Sequence, residues 1–432
     1  MPEQISILVF PAEGENAFEL YKALRYAVRL KVFGASSRKV AGHGQFVFDR
    51  YDATLPLINE PDFLEHFTKY LTLHGIKYIF PTHDTVAAFL KTHEASLPAR
   101  VMGPSADTAV TCRKKTLTYA AFHDAGFCPV VYEASEQPPA FPVFLKPDQG
   151  QGGQGCHIID NMESLHAALM QTPDAIITEY LPGKEFTVDC FTDRHGKLLF
   201  IGPRSRDVVK LGMAYVSSTV ALTQEIEQIA SAINVTFPMR GLWFFQVKED
   251  VKKRLKLLEV AVRASCGMGL YRQLGVNLPL LSVYDALGMD VSVLRNPGGM
   301  NVSRNLQSRY YPQPDFNTVY VDYDDTLCVH GKVNTTLLAF LYQCLNDGKH
   351  LVLISKHDGD LRTELEKRRI ALNLFDAILH LDPKALKYPF MKDRNAIFID
   401  NLFHERAEVL RECGFPVYDT DAVECLLHQG RD

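Results

Sequence analysis

Lys146 closes a short apolar run, residues 142–145, and four glycines follow it: Gly150, Gly152, Gly153 and Gly155. A second strand-like stretch, residues 156–159, comes next. The pattern reads as a glycine-rich hairpin tip with a lysine at its base. Glycine N–H groups can approach an anion closely and tolerate positive φ, and a lysine ammonium adds a point charge suited to phosphate. No Gly-Lys-Ser/Thr ends the loop and no helical pattern follows it, so it is neither a P-loop nor a dinucleotide fingerprint. A flexible surface hairpin would use the same residues, and the rest of the chain has to decide between the two. A second concentration of reactive groups lies far downstream. An apolar run, residues 319–321, ends in Asp322 and Asp324, with Thr326 just beyond. Strand tips of this kind carry the working residues of open α/β sheets.

Residues 241–248 and 255–262 read as a two-strand ribbon over the charged turn 249–254. Side chains two apart on a strand share a face, so Glu259 and position 261 look the same way; position 261 is Ala261. Arg263 follows. Arg204, Arg206 and Lys210 fall in what reads as a loop after a hairpin strand, 198–202. They suit a carboxylate substrate, and equally well they are ordinary surface charge.

The elements that must position these groups alternate along the chain. Residues 5–10, 30–33, 45–48 and 78–81 read as strands, and 17–28, 61–74 and 85–93 as helices, the last with Asp84 as N-cap. This alternation argues for a doubly wound α/β unit. Two helices span 105–126, with Ser105 and Thr111 as caps and the cations at 113–115 opening the second. A strand over 175–181 stops at Pro182-Gly183. Residues 274–288 read as a helix interrupted by proline. Residues 296–317, rich in Pro, Gly, Asn and Ser, read as a linker, after which a second α/β alternation begins.

At 432 residues the chain is too long for one ordinary core. With 47% apolar and 22% charged residues it is globular in composition, and a formal charge of −5 argues against a nucleic-acid surface. None of the nine cysteines forms a C-x-x-C pair, which suits reduced thiols in a cytoplasm. No basic, apolar leader opens the sequence, and no apolar run reaches about 18 residues, so neither a signal peptide nor a membrane span is expected.

Taken together, residues 5–309 resemble the ATP-grasp superfamily, in its carbamoyl-phosphate-synthase-like carboxylate–amine ligase branch. The resemblance implies that Lys146 and the loop with Gly150, Gly152, Gly153 and Gly155 bind the ATP phosphates, with Lys115 upstream near them. It implies that Glu179, Tyr180 and Leu181 meet adenine and Glu185 the ribose. Mg2+ would be held by Gln246 and Glu259, and Arg263 stands where the family's arginine meets the transferred phosphoryl group. The family's pattern is Glu-x-Asn-Pro-Arg; Ala261 and Val262 depart from it, and the loss of the Asn oxygen weakens the second metal position.

Residues 319–327 resemble the first motif of haloacid-dehalogenase (HAD) phosphatases. That resemblance implies Asp322 as nucleophile and Asp324 as general acid/base. It further implies Ser355 as a phosphate donor, Lys387 (or Lys384) as the motif lysine, and Mg2+ held by Asp322, Asp324 and Asp400. Asn401 and then Glu405 stand where a second acid is frequent. Without long insertions the site is expected to be capless.

The expected fold class is therefore α/β and α+β. It comprises a Rossmann-like pre-ATP-grasp unit (1–104), an ATP-grasp nucleotide-binding and catalytic domain (105–309) and a Rossmann-like HAD domain (310–432). The implied function is an ATP-dependent carboxylate–amine ligase joined to a Mg2+-dependent phosphatase. Small-molecule carboxylate, amine and phosphorylated substrates are its expected partners, with no nucleic acid or membrane; association with further copies of the chain is left open. A nucleotide-binding regulatory module, and a kinase without ligation, also fit the first half.

Overall fold

The run Ile5–Phe10 (β1) is the central strand of a five-stranded parallel sheet in the computed structural model, which describes residues 4–37, 42–133, 138, 140–172, 174–305, 310 and 314–427. Ile7, Leu8, Val9 and Phe10 are all buried, as expected of a strand covered on both faces. The sheet is completed through α1 (Glu15–Leu24), β2 (Leu30–Ala35), β3 (Arg50–Asp52), α2 (Phe63–Leu73), β4 (Ile76–Pro81), α3 (Asp84–Thr92) and β5 (Arg100–Val101), in the order β3-β2-β1-β4-β5. The strand expected at 45–48 is instead a tight helical turn, His43–Phe46. It carries Phe48 into the core against Gly34, where a side chain on Gly34 would collide with the ring.

Helices α4 (Ala106–Arg113) and α5 (Lys115–Ala121) follow. The Ser105 side chain accepts from Thr108 N, as expected of a cap, but Lys114 rather than Thr111 holds the cap position of α5. Arg113 thus ends one helix instead of opening the next. At α3 the cap is His83, whose Nδ1 accepts from Thr85 N at 3.1 Å; the Asp84 carboxylate is occupied elsewhere, by Arg263.

A four-stranded antiparallel sheet comes next, built from β6 (Val131–Tyr132), β7 (Val143–Pro147), β8 (His157–Ile159), α6 (Met162–Gln171) and β9 (Ala175–Glu179), in the order β6-β9-β7-β8. The glycine stretch joins β7 to β8. Then come β10 (Glu185–Thr192), β11 (Leu198–Ser205), β12 (Val208–Lys210), β13 (Met213–Ser218), α7 (Gln224–Thr236), β14 (Gly241–Glu249), β15 (Leu255–Ala261), α8 (Gly269–Arg272), α9 (Leu278–Ala286) and β16 (Asn301–Ser303). They form one sheet ordered β11-β10-β14-β15 and a smaller one ordered β12-β13-β16. Arg204 and Lys210, expected in a loop, lie on β11 and β12. The expected linker supplies β16, which pairs with β13; residues 306–309 and 311–313 of it fall outside the described residues. Pro279 sits in the first turn of α9, where its missing N–H costs nothing, so it starts that helix rather than interrupting it.

The chain divides into two units, Met1–Leu306 and Gln307–Asp432. The second contains β17 (Thr318–Val321), the hairpin β18 (Cys328–Val329) and β19 (Lys332–Val333), α10 (Thr335–Asn346), β20 (His350–Ser355), α11 (Leu361–Lys367), β21 (Ala377–His380), β22 (Ala396–Ile399), α12 (Phe403–Cys413) and β23 (Val417–Tyr418). Its five-stranded sheet is parallel throughout, in the order β21-β20-β17-β22-β23. Asp322 follows directly on the central strand. Among the described residues no helix is long and apolar enough to cross a membrane.

Within the first unit, one core joins Ile7 and Val9 of the first sheet to Phe191, Leu242 and Tyr271 of the later elements. Buried Asn16 stitches the same junction, its Nδ2 donating to Thr82 O at 2.6 Å and to Ala264 O at 3.3 Å. Asn16→Leu leaves both carbonyls without that donor, so chemical denaturation should show a loss of about 1–3 kcal/mol.

Candidate functional site

The first unit contains a cleft of about 570 Å³ whose wall includes Gly150 and Gly152, Arg204 and Arg206, Gln246, Glu259 and Arg263. Strand pairing explains the convergence. Gln246 on β14 and Glu259 on β15 are register partners, as are Phe244 and Ala261, so all four stand on one face of the ribbon. Val260 and Val262 turn to the other face and join the core under α7. Ala261 is buried and offers no oxygen, which leaves Gln246 and Glu259 as the ribbon's oxygen donors on the cleft.

The Arg263 guanidinium is held from a different element. Asp84 Oδ2, at the start of α3, accepts from Nε at 2.9 Å and lies 2.8 Å from Nη2. Nη1 donates to Ala264 O at 3.1 Å, and the guanidinium lies 5.2 Å from the Phe244 ring centre. Burial pulls the Arg263 guanidinium down most strongly, but Asp84, joined by Cys266 and Glu259, more than offsets it and holds Arg263 more firmly protonated than usual. Burial pushes the neighbouring His83 imidazole down, toward its neutral form. His83, Asp84 and Asn16 all line the cleft; from the sequence none of them has a site role, and Asp84 reads only as a helix cap. A signal existed: they sit just past the C-terminal ends of β1 and β4, the edge where parallel sheets place their sites.

Arg204 is 3% exposed, and its Nε donates to Asp189 Oδ2 at 2.8 Å. Its Nη2 donates to Ser265 Oγ at 3.1 Å, and that hydroxyl donates to Asp189 Oδ1 at 2.6 Å. It is no ordinary surface charge. Arg206 Nε lies 2.6 Å from Glu185 Oε1, close enough for an ion pair although its N–H is off the hydrogen-bond line, while Nη2 donates to Gly212 O at 2.8 Å. Lys210 is exposed, its ammonium 5.1 Å from the Tyr215 ring centre and outside the cleft wall.

Lys146, Lys115, Glu179, Tyr180, Leu181 and Glu185 are not part of that wall. Lys146 is 4% exposed on β7, and its Nζ donates to the Tyr119 hydroxyl at 2.7 Å. That hydroxyl donates in turn to Leu258 O at 2.7 Å on the ribbon. Burial above all, and then the Lys115 charge, push the Lys146 ammonium down to about 8, against the opposing pull of Glu259 and Glu185. Lys115 Nζ donates to Pro147 O and Asp148 O, both at 3.2 Å, and so fixes the base of the glycine loop. Arg113 holds the loop itself, donating to Gly150 O at 3.2 Å. Gly152, Gly153 and Gly155 have φ between 63° and 72°, and Gly152 touches Gly212 so closely that a side chain on Gly212 would strike its backbone. Glu179 Oε1 accepts from Val130 N at 3.0 Å, and Leu181 is buried.

In the second unit, Lys387 Nζ donates to Asp322 Oδ1 at 2.7 Å and to Asp400 Oδ2 at 2.6 Å, and all three side chains are buried. Lys384, the other lysine considered, is exposed. Burial raises the Asp322 carboxyl above the usual range, Lys387 opposing and Asp400 adding to the rise. Ser355 at the end of β20 is 1% exposed, and its Oγ has no hydrogen-bond partner among the described residues. It lies beside Asp322, whose carboxyl it pulls down, though off the geometry of a full hydrogen bond. Thr326 Oγ1 donates to Asn401 Oδ1 at 3.2 Å and accepts from Asn401 N at 3.0 Å, tying the first tip to that of β22. Glu405 is buried on α12 and ion-paired with Lys356. Among the described residues no three His, Cys, Asp or Glu side chains converge as a ready-made metal site. On the ribbon the protein presents one carboxylate and one amide oxygen to the cleft, oxygen donors of the kind Mg2+ takes.

A family model described as ATP-grasp in the biosynthetic pathway with Ter operon matches residues 171–307. Over 188 residues the chain is 31% identical to the carbamoyl phosphate synthase arginine-specific large chain of Halalkalibacterium halodurans; the match covers 40% of this chain and 17% of that much longer protein. Among solved structures, the biotin carboxylase domain of the Hydrogenobacter thermophilus 2-oxoglutarate carboxylase, in complex with MgADP, ADP and bicarbonate, superposes with a TM-score of 0.57 at 17% identity, over 70% of this chain and 74% of that one. N5-carboxyaminoimidazole synthetase from Staphylococcus aureus, complexed with ADP, gives 0.55 at 12% identity, over 67% and 79%. L-amino acid ligase from Bacillus licheniformis gives 0.51 at 18%, over 66% and 75%. The chain carries an ATP-grasp fold, in the unit that holds Lys146 and the ribbon.

Two variants probe these charges. A lysine whose pKa falls on folding costs stability below its unfolded value, and the cost is complete below its folded one. For Lys146 the window runs from 10.5 down to about 8. Lys146→Met should therefore unfold later in denaturant than the parent at pH 7, by on the order of 3 kcal/mol, with the gap closing as pH rises past 9. Lys387→Met leaves two buried carboxylates without their cation and should cost about 3–5 kcal/mol. Lys384→Met at an exposed position should stay within about 0.5 kcal/mol of the parent.

Proposed function

We propose that the first unit is an ATP-dependent carboxylate–amine ligase. ATP would transfer its γ-phosphoryl group to a substrate carboxylate, and an amine would then displace phosphate from the acyl phosphate, leaving an amide and ADP. The observation that carries this reading is the single cleft in which the glycine loop, the Gln246–Glu259 pair and Arg263 meet. Gln246 and Glu259 would hold Mg2+, which would offset negative charge on the phosphates. Arg263, fixed by Asp84, faces the place where charge develops during transfer. Lys146 and the glycine loop would take the phosphates, with Lys115 bracing the loop. Glu179, Tyr180, Leu181 and Glu185 would border the nucleoside. Arg204, committed to Asp189, and Arg206, paired with Glu185, would shape the carboxylate end. Lys210 would act at the rim.

The second unit would be a capless HAD-type phosphatase with Asp322 as nucleophile, Asp324 as acid and base, and Ser355 and Lys387 on the phosphate. Asp322, Asp324 and Asp400 would hold its Mg2+. The two activities would serve one cytoplasmic pathway, the phosphatase acting on a substrate or product of the ligase. Buried, apolar Ala261 favours a second reading of the first unit, in which it binds ATP and regulates the phosphatase without ligating.

Incubation of the full chain with ATP, Mg2+ and a panel of carboxylates and amines should yield ADP together with an amide seen by mass spectrometry, and hydroxylamine should trap the acyl phosphate as a hydroxamate. Nucleotide binding with neither product across the panel would favour the regulatory reading. Asp322→Asn should reduce phosphate release from monophosphates to background while leaving ADP formation intact.

A further inference from the structure

Beside Asp324 stands an imidazole to which no role has yet been given. His357 lies two residues past the end of β20, and its Nδ1 is 2.9 and 3.0 Å from the two carboxyl oxygens of Asp324. The ring packs edge-on to Tyr323 with centres 5.2 Å apart and planes at 83°, and His380 Nε2 donates to the His357 carbonyl at 2.8 Å. The imidazole is thus fixed through its ring and through its backbone. The pair is also ordered in depth: the His357 side chain is 15% exposed and that of Asp324 53%. The carboxyl faces outward, where a substrate would arrive, and the imidazole stands behind it.

We propose that His357 is a positioning residue that holds Asp324 in the orientation from which it protonates the leaving group. The inference rests on reading Asp322 as a phosphoryl-accepting nucleophile. In that reaction an Asp322 oxygen bonds to phosphorus while the bond from phosphorus to the ester oxygen breaks. The electron pair stays on the ester oxygen, which takes the proton carried by Asp324. Water then attacks the aspartyl phosphate and gives a proton to Asp324. Phosphate leaves and the Asp322 carboxylate is restored. An Nδ1–H shared between both oxygens of Asp324 fixes the plane of the carboxyl, and either oxygen keeps a free direction for the transferable proton. An exposed aspartate without such a brace would spread over its rotamers, and a misplacement of about 1 Å can cost a hundredfold in rate.

A purely structural histidine would affect all substrates alike, whereas an acid-positioning one matters most where the leaving oxygen is basic. The test compares an alkyl monophosphate with p-nitrophenyl phosphate on the full chain. His357→Ala should lower kcat on the alkyl ester about tenfold to a hundredfold and lower it much less on p-nitrophenyl phosphate. His357→Asn, which keeps a donor near the Nδ1 position, should recover most of the loss. Equal losses on both substrates, or no loss on the alkyl ester, would overturn the role of His357. Asp322→Asn serves as the control for the underlying reading: if it still releases phosphate, the hydrolase assignment itself falls, whatever His357 does.

Discussion

The contact between Asp84 and Arg263 is the constraint on which the first unit's site depends. One partner opens a helix of the first sheet and the other follows the last strand of the ribbon, 179 residues later. An arginine this buried is stable only with its charge answered, and breaking such a pair is far more costly than never having formed it. The two sheets must therefore meet in one register for Arg263 to fold at all. The Asn16 bonds to Thr82 and Ala264 fix the same junction, and the core shared by Ile7, Leu242 and Tyr271 supplies the apolar area behind it. The cleft is what remains open above this seam.

Both units place a lysine where water is scarce, and they treat it differently. Lys387 lies between two carboxylates that raise its pKa despite burial, so its charge is secure. Among the described residues Lys146 has only the Tyr119 hydroxyl in hydrogen-bond reach, and another cation is among the charges acting on it, so its charge is costly. A buried cation of that kind gains most when an anion arrives, because the anion replaces the water it lost. Strain of this sort is a common mark of binding sites.

The glycine loop is held by what surrounds it. Arg113 and Lys115 bond its carbonyls from one side, and Gly212 packs on Gly152 from the other. Arg206 connects Gly212 to Glu185, so the turn that packs on the glycine loop and the start of β10 share one side chain.

The apolar runs, the glycine loop, the ribbon and the Asp322 strand tip were legible in the sequence, because each is a local pattern of period or punctuation. The pairing of Gln246 with Glu259 was implied only by the resemblance; a register shift between Gln246 and Val247 brings the two opposite each other. Errors came where tertiary contacts overrode local preference. Asp84 gave up its cap to His83 because Arg263 claimed its carboxylate. The stretch around Arg204 became strand because its neighbours completed a ladder, and part of a Pro- and Gly-rich segment became β16 for the same reason. Lys387 and Lys384 could not be separated by spacing; burial alone divides them. The sequence by itself thus determined which groups capable of chemistry stand at which strand tips and turns, since backbone geometry reads neighbours two to four residues apart. Only the tertiary structure decided that Asp84 would grip Arg263, that Arg204 would be spent on Asp189, and that His357 would stand behind Asp324. Those partners are distant in the chain, and the packing of whole elements brings them within hydrogen-bonding reach.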